Sequence, residues 1–245
     1  MKIRKFDELN MKDYVEKILD EKECGKDKRD DVYDTIDIIR SKAASIHESV
    51  NQKYDDMPYV AHLDLAMNFL LSFLYLTYSE SSKKLKMIDF LNMVFGVYFH
   101  DVIEDCRITY NDLKRLAKEM SQVIPQDVKY FEDGVDIVYA CTEEKGKNRE
   151  ERHNAKYFDG IRTTWNAYAV KIADIAANTT YSYATNPKRC EMYMSEFEVN
   201  YRLLYPRIYE NNEFKEAANN YITSAYCYMK KKDNIADFAK TFIEQ

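Results

Sequence analysis

Glycine and proline are scarce in this 245-residue chain, with 5 Gly and 4 Pro. Both residues are typical of turns and interrupt helices, so their scarcity favours long helices over loop-rich β folds. The glycines are also far apart, and the closest two are Gly134 and Gly146. A P-loop or a GxGxxG turn needs glycines within about five residues of one another. The sequence therefore excludes both types of nucleotide-binding loop.

Basic charge is also in deficit, because 36 Lys and Arg stand against 42 Asp and Glu, for a net charge of −6. An acidic chain does not bind nucleic acid through bulk electrostatics. The longest uncharged run, residues 65–79, is shorter than the roughly 20 residues of a bilayer span, so it predicts a buried helix. The N-terminal residues lack the apolar core of a signal peptide, and five scattered cysteines without metal-site spacing are typical of free thiols. These features predict a cytoplasmic protein with neither nucleic acid nor membrane as partner.

Apolar residues recur at helical spacing along most of the chain, which predicts an all-α helical bundle. The apolar segment VDIVYACT is compatible with strand or helix, and its helical neighbours favour helix. We expect Pro58 in the first turn of a helix and one continuous helix through FGVYFHDVIED. The expected organisation is a single domain over 1–245, with a core at about 30–187 and a helical C-terminal extension over 188–245 that could mediate homo-oligomer contacts. The predicted helices include 8–20, 29–51, 190–204, 211–230 and 233–243.

Three apolar stretches each contain side chains typical of metal ligands: His62, the pair His100–Asp101, and Asp174. Each has a simpler explanation when taken alone. A single buried His is usually hydrogen-bonded to the core, and Asp174 could pair with Lys171. A buried ionised Asp is nevertheless costly unless it is paired or bound to a metal. Together the three stretches supply two imidazoles and two carboxylates, a set that suits a divalent ion such as Mn²⁺ with positions left open for water and substrate.

Two further acids follow the His-Asp pair at helical spacing. Glu104 lies one turn after His100, and Asp105 lies one turn after Asp101. Like charges so spaced repel each other, so they either reach solvent at a helix end or are held by a cation. Acids at a helix C-terminus also oppose the helix dipole, which weakens the first explanation.

The order of these residues resembles the H…HD…D signature of the HD-domain metal phosphohydrolases. Three segments are similar to the hydrolase domain of RelA/SpoT-type alarmone, or (p)ppGpp, hydrolases, and together they cover about residues 40–185. The hexapeptide HDVIED is fairly specific to that branch, whereas the H…HD…D pattern is broad. The three segments are AASIHESVNQKYDDMPYVAHL, FHDVIEDCRITYNDL and VKIADIAAN.

The resemblance implies an enzyme that removes the 3′-pyrophosphate from guanosine tetra- or pentaphosphate. Glu104 and Asp105 would orient and activate the attacking water, and Lys53 and Asn178 would help to hold the nucleotide. No synthetase-like segment is recognisable, so we expect a small enzyme with one activity. The metal ligands that the resemblance implies are His62, His100, Asp101 and Asp174.

The chain departs from the family on the substrate side. Gln52-Lys53 stands in place of the family's Arg-Lys pair, Ile175 in place of its Arg, and Ala177 in place of its His. In the family, the Arg of the Arg-Lys pair, which Gln52 replaces here, is associated with holding the guanine base. A phosphohydrolase is therefore a firmer prediction than alarmone specificity. Two alternatives stay open: the same chemistry on a nucleoside monophosphate or a dinucleotide phosphate, and a non-catalytic nucleotide-binding module.

A basic segment offers the clearest place for phosphate contact in this acidic chain. Residues 145–156 contain five Lys or Arg against two Glu, and Arg149 and Arg152 are suited to bidentate phosphate binding. The alternative is a solvated surface with local ion pairs. His153 is expected at the surface or near the phosphate and not as a metal ligand, and His47 is expected in a structural position or beside a metal ligand. Tyr181, two turns after Asp174, is the tyrosine expected nearest the site.

Overall fold

The computed structural model describes residues 1–6, 9, 12–20, 29–123, 131–206 and 212–244, and the described chain is predominantly helical. This confirms the all-α prediction. Four short strands form two antiparallel pairs, β1 (Lys2–Ile3) with β4 (Ile243–Glu244) and β2 (Lys53–Tyr54) with β3 (Met57–Pro58). The helices are α1 (Lys12–Ile18), α2 (Arg29–Ser49), α3 (Val60–Tyr78), α4 (Met87–Phe99), α5 (Val102–Asp105), α6 (Tyr110–Val123), α7 (Glu132–Cys141), α8 (Arg149–Arg152), α9 (Ala155–Thr163), α10 (Ala167–Thr185), α11 (Pro187–Leu203), α12 (Asn212–Met229) and α13 (Lys232–Phe242).

The centre of the bundle is formed by α3 and α10, which pack against each other, and α4 packs against both. Helix α3 is long and apolar enough to cross a membrane, but it is mostly buried among the other helices. The predicted buried helix is therefore confirmed. The three helices carry the polar side chains that the sequence singled out, so those side chains project from the core of the fold.

Two local expectations were wrong. The segment expected to be one continuous helix is interrupted, because α4 ends at Phe99 and α5 begins at Val102. His100 is the C-cap residue of α4 and Asp101 is the N-cap residue of α5. Both side chains therefore extend from the short turn between the two helices. Pro58 lies in strand β3, where it pairs in register with Lys53 of β2, and α3 begins only at Val60.

Other elements agree with the sequence. The ambiguous VDIVYACT segment lies mainly in α7, and Thr109 caps α6 through reciprocal hydrogen bonds with Asp112. Helices α11 and α13 pack on α10, and α12 packs on α3, so the chain after residue 187 is part of the same bundle. Residues 8, 10 and 11 of one predicted helix, residue 211 of another, and Cys24 lie outside the described residues.

Gly96 is where α4 comes closest to its neighbours, since an added Cβ would lie 2.6 Å from Ile137 of α7 and 2.9 Å from Val170 of α10. We expect Gly96→Ala to lower the melting temperature by several degrees, because overpacking costs about 1–3 kcal/mol and exceeds the helix-propensity gain. Gly160→Ala is the matched control, because no atom lies within 4 Å of its added Cβ. The control should be neutral or stabilising. Equal effects of the two substitutions in thermal unfolding would contradict the packing account.

Candidate metal centre

Four side chains from three parts of the bundle meet at one point. The Nε2 atoms of His62 on α3 and His100 after α4 lie 3.3 Å apart. Asp174 on α10 places Oδ1 3.3 Å from the first and 3.5 Å from the second. Asp101 places Oδ2 2.9 Å from the His100 Nε2. The two histidines and Asp174 are buried and their nearest ligand atoms lie within 4.8 Å of one another, so this group could bind a metal ion.

The pKa values of His100 and Asp174 are both shifted toward the charged forms, imidazolium and carboxylate. Burial disfavours a charged imidazole, but the carboxylates of Asp101 and Asp174 outweigh burial and raise the pKa of His100 well above its ordinary value. Burial likewise opposes ionisation of Asp174, yet Lys171 and the two histidines hold its pKa well below the ordinary value. Because His100 Nδ1 donates to the carbonyl of Val97 at 2.7 Å, its Nε2 is the nitrogen that faces the carboxylates.

Tyr59 and His47 support the position of Asp101. The Tyr59 hydroxyl donates a short hydrogen bond to Asp101 Oδ2. The His47 ring stacks on the Tyr59 ring with centroids 4.3 Å apart, and His47 Nδ1 contacts the Cys106 thiol at 3.3 Å. Burial lowers the pKa of His47 to about 4, so it is neutral near pH 7. His47 thus lies behind the centre in the structural position expected for it.

Asp174 is fixed by donors on its own helix. Lys171 Nζ donates to Asp174 Oδ2 at 2.9 Å, and the Asn178 amide donates to Oδ1 at 2.7 Å. The Tyr54 hydroxyl in turn donates to the Asn178 carbonyl oxygen at 3.3 Å. The pairing of Asp174 with Lys171 that the sequence offered as an alternative is present, and it occurs together with the histidine contacts. One carboxylate oxygen is held by Lys171 while the other faces the histidines.

A pocket of about 680 Å³, including its open mouth, leads to the centre. Its wall contains the two cationic side chains Arg149 and Lys171, the acids Glu104 and Glu143, and several aromatic rings. Cations, acids and flat apolar surfaces are therefore combined beside the four converging side chains. The aromatic residues of the wall are Tyr59, Tyr157, Phe158 and Tyr193.

The two acids of the HDVIED segment occupy different surroundings. Glu104 lines the pocket, and its Oε1 accepts the backbone N–H of Glu143 at 2.7 Å. Burial raises the pKa of Glu104 to about 7, and the charge of Asp101 adds to this shift. Asp105 is held to one side, where its Oδ2 accepts from the Gln52 amide at 3.0 Å. Glu104 is therefore the acid with direct access to the pocket.

The basic segment forms ion pairs across the pocket mouth. Glu143 accepts hydrogen bonds from Arg152 and from His153 Nε2, and these partners hold its pKa at about 2. Arg149 pairs with Glu196 of α11 at 3.0 Å. Arg149 and His153 line the pocket, as expected for residues near a phosphate, and Arg152 reaches it through Glu143.

Three residues that the sequence placed near the substrate lie beside the pocket wall instead. Lys53 is exposed on strand β2, and Gln52 is engaged with Asp105. The Tyr181 ring packs on the Tyr54 ring at 4.3 Å, and the Tyr54 ring lies 4.8 Å from the His62 ring. Tyr181 therefore meets the centre through Tyr54. The fourth residue, Asn178, does line the pocket and binds Asp174.

Sequence reasoning missed Tyr59, Glu143 and the α11 residues. Tyr59 lies in the PY dipeptide three residues before His62, so its position one turn from a ligand was a usable signal. Glu143 and Tyr193 gave no such signal, because each reaches the pocket only through tertiary packing.

No family model matches the chain, and no curated protein or solved structure matches it either. Membership of the HD-domain phosphohydrolases therefore stays a prediction from the sequence.

Proposed function

We propose that this protein is a metal-dependent phosphohydrolase that acts on a phosphorylated nucleotide. The observation that carries the proposal is the convergence of His62, His100, Asp101 and Asp174 from three separate helical segments. Such a group is difficult to explain as packing, because two carboxylates in a largely buried site are costly without positive charge beside them, and a divalent ion between the two imidazole nitrogens would supply it. The resemblance of the HDVIED segment to alarmone hydrolases agrees with the same chemistry.

The donor set fits a divalent ion of the first transition row. Imidazole suits such ions and carboxylate suits Mn²⁺ and Mg²⁺, so a mixed set favours Mn²⁺. His62, His100, Asp101 and Asp174 would hold the ion, and the hydrogen bonds from Tyr59 and Lys171 would keep the two carboxylates oriented. Four protein ligands leave room for water and substrate on the pocket side.

The remaining chemistry is assigned to side chains of the pocket. A bound divalent ion would lower the pKa of water and offset the charge of a phosphoryl oxygen. Glu104, whose pKa of about 7 lets it accept a proton near neutral pH, would take the proton from the attacking water. Arg149 and Lys171 would neutralise the phosphate groups of the substrate.

The finer assignment is a guanosine 3′,5′-bis(diphosphate) 3′-pyrophosphohydrolase, as the resemblance implies. The position of Gln52 and Lys53 supports a second candidate, an HD phosphohydrolase for another phosphorylated nucleotide, because neither residue lies in the described pocket wall. The two candidates share the metal chemistry and differ only in the nucleotide.

Metal analysis followed by a nucleotide panel tests the proposal. We expect about one Mn²⁺ per chain to survive desalting, and Mn²⁺-dependent release of phosphate or pyrophosphate from at least one nucleotide. Turnover of a nucleoside monophosphate or a dinucleotide phosphate, with guanosine tetraphosphate inert, would exclude the alarmone assignment and keep the phosphohydrolase. Bound metal without turnover on any nucleotide would favour a non-catalytic binding module. Failure to bind a divalent ion would exclude the proposal.

Glu104→Gln tests the proton acceptor through the pH profile. Because the carboxylate form accepts the proton and burial raises its pKa to about 7, kcat/KM should rise with pH up to about 7 and then level off. Glu104→Gln should lower kcat by about 10²–10⁴-fold and remove this rise. Asp105→Asn is the matched control and should keep the rise, since Asp105 is directed toward Gln52. If the rise of kcat/KM with pH disappeared in Asp105→Asn and remained in Glu104→Gln, Asp105 and not Glu104 would be the proton acceptor.

A further inference from the structure

Helix α11 brings a row of three side chains to the pocket, spaced three and four residues apart and therefore on one face: Tyr193, Glu196 and Asn200. Tyr193 and Asn200 line the pocket directly. Glu196 holds Arg149, whose guanidinium lies 5.6 Å from the Tyr193 ring centroid. This α11 face belongs to the part of the chain that the sequence suggested was an extension outside the hydrolase core.

The side-chain amide of Asn200 is the unexplained group on this face. Asn200 is only 9 % exposed, yet no residue in the described parts of the chain hydrogen-bonds to its amide. Because Asn200 lines the pocket and its amide atoms are not among the fully buried polar atoms without a partner, the amide can hydrogen-bond to water or to a ligand there. One acceptor and two donors project from the same flat group. A ligand in the pocket is the partner that this position makes available.

The surroundings of Asn200 specify the chemistry of that ligand. Three aromatic rings line the same pocket: Tyr193, Phe158 and Tyr157, and the Tyr157 ring is already stacked on the His153 ring with centroids 5.0 Å apart. Aromatic rings of this kind stack on nucleobases, and an amide can pair with the polar edge of a base. The four converging side chains and Lys171 lie on other elements, α3, the turn after α4, and α10. The pocket thus has one side with the four converging side chains and Lys171, and an α11 side where the Arg149 guanidinium lies beside the Tyr193 ring.

We propose that the α11 face binds the nucleobase of the substrate, with Asn200 reading the edge of the base and Tyr193 contributing to the surface on which it packs. The inference rests on the proposed nucleotide phosphohydrolase function and names the residues that set its specificity. Gln52 stands where the related family has the Arg associated with the base, and it is outside the described pocket wall, which leaves the α11 face available for this task.

Asn200→Ala and Tyr193→Ala test the proposal with two probes, guanosine 5′-diphosphate and inorganic pyrophosphate, by calorimetric titration with and without Mn²⁺. We expect each variant to bind the nucleoside diphosphate about tenfold more weakly and pyrophosphate within twofold of the original affinity. Adenosine 5′-diphosphate should be affected to a different extent in Asn200→Ala, because the amide pairs with the edge of the base. The exposed residue Asn220 on α12 provides the matched control, and Asn220→Ala should leave both affinities unchanged.

Thermal unfolding of the free protein separates binding from folding. Asn200→Ala should melt within about 2 °C of the original chain, because the side chain lines the pocket and its loss leaves no buried group of the core unpaired. Unchanged nucleoside diphosphate affinity in both variants would overturn the proposal, as would equal losses for the diphosphate and for pyrophosphate. A starting protein that binds the diphosphate no better than pyrophosphate would overturn it as well. Mn²⁺ binding is measured separately, so a protein that binds no Mn²⁺ but still binds the nucleoside diphosphate through Asn200 and Tyr193 would contradict the proposed hydrolase and support the base site.

Discussion

Replacing Asp101 with alanine is expected to abolish divalent metal binding and phosphohydrolase activity together. Asp101 Oδ2 lies 2.9 Å from His100 Nε2 and 3.7 Å from His62 Nε2, so its loss removes one of two carboxylates from the centre. The second carboxylate, Asp174, already shares one oxygen with Lys171. We expect metal affinity to fall by about 10²-fold or more and kcat/KM by about 10³-fold or more.

Metal content after desalting and initial rates with saturating Mn²⁺ measure the two effects in one preparation. Asp237→Ala is the matched control, because Asp237 is exposed and pairs only with Lys240 of its own helix turn. Tyr59→Phe should have a metal content and an initial rate between those of Asp101→Ala and Asp237→Ala. The substitution removes the hydrogen bond that holds Asp101 but leaves the Asp101 carboxylate in place. An Asp101→Ala protein that keeps its metal and its rate would refute the four-residue centre.

The sequence was sufficient to predict the converging residues because each is a polar side chain in an otherwise apolar stretch. His62, His100 and Asp174 interrupt hydrophobic runs, and a buried polar group demands a partner whatever the fold. The sequence could not show where those partners come from. The interruption between α4 and α5 was missed, because its flanks are apolar and helix-favouring. The His100 imidazole bonds to the Val97 carbonyl there, and such a local contact is invisible in a hydrophobic pattern.

Long-range contacts explain the rest of the difference. Glu143 follows α7 and meets Glu104 through a backbone N–H, while Arg149 meets Glu196 across 47 residues of chain. Periodicity identifies α11 as a helix but does not indicate which face it turns toward a pocket, because polar and apolar residues alternate on several sides. A pocket wall assembled from distant segments is thus the part of a site that a single sequence specifies least.

The largest expected loss of stability lies next to the candidate metal centre, at the partly buried ion pair between Arg40 of α2 and Asp64 of α3. Arg40 donates to both Asp64 oxygens at 2.7 Å, and Asp64 also accepts from the Tyr98 hydroxyl at 3.3 Å. Burial opposes the charge on Arg40, but Asp64 outweighs it and keeps the guanidinium ionised with a pKa above its ordinary value. These contacts link α2, α3 and α4 at Asp64, two residues after His62 in the sequence.

Asp64→Ala should lower the melting temperature by about 5 °C or more, because it leaves the partly buried Arg40 guanidinium, whose side chain is 16 % exposed, without its carboxylate. The double variant Arg40→Met with Asp64→Leu should recover most of the loss, since it leaves neither partner charged and fills the space with apolar groups. Arg202→Ala removes an exposed pair with Glu198, whose two side chains are 75 % and 61 % exposed, and should shift the melting temperature by less than about 2 °C. If the melting temperature of Asp64→Ala is as high as that of Arg202→Ala, the Arg40–Asp64 pair contributes little to stability. Apolar packing then holds the contact between α2 and α3. If the double variant melts as low as the single one, the loss comes from missing hydrogen bonds and not from an uncompensated charge.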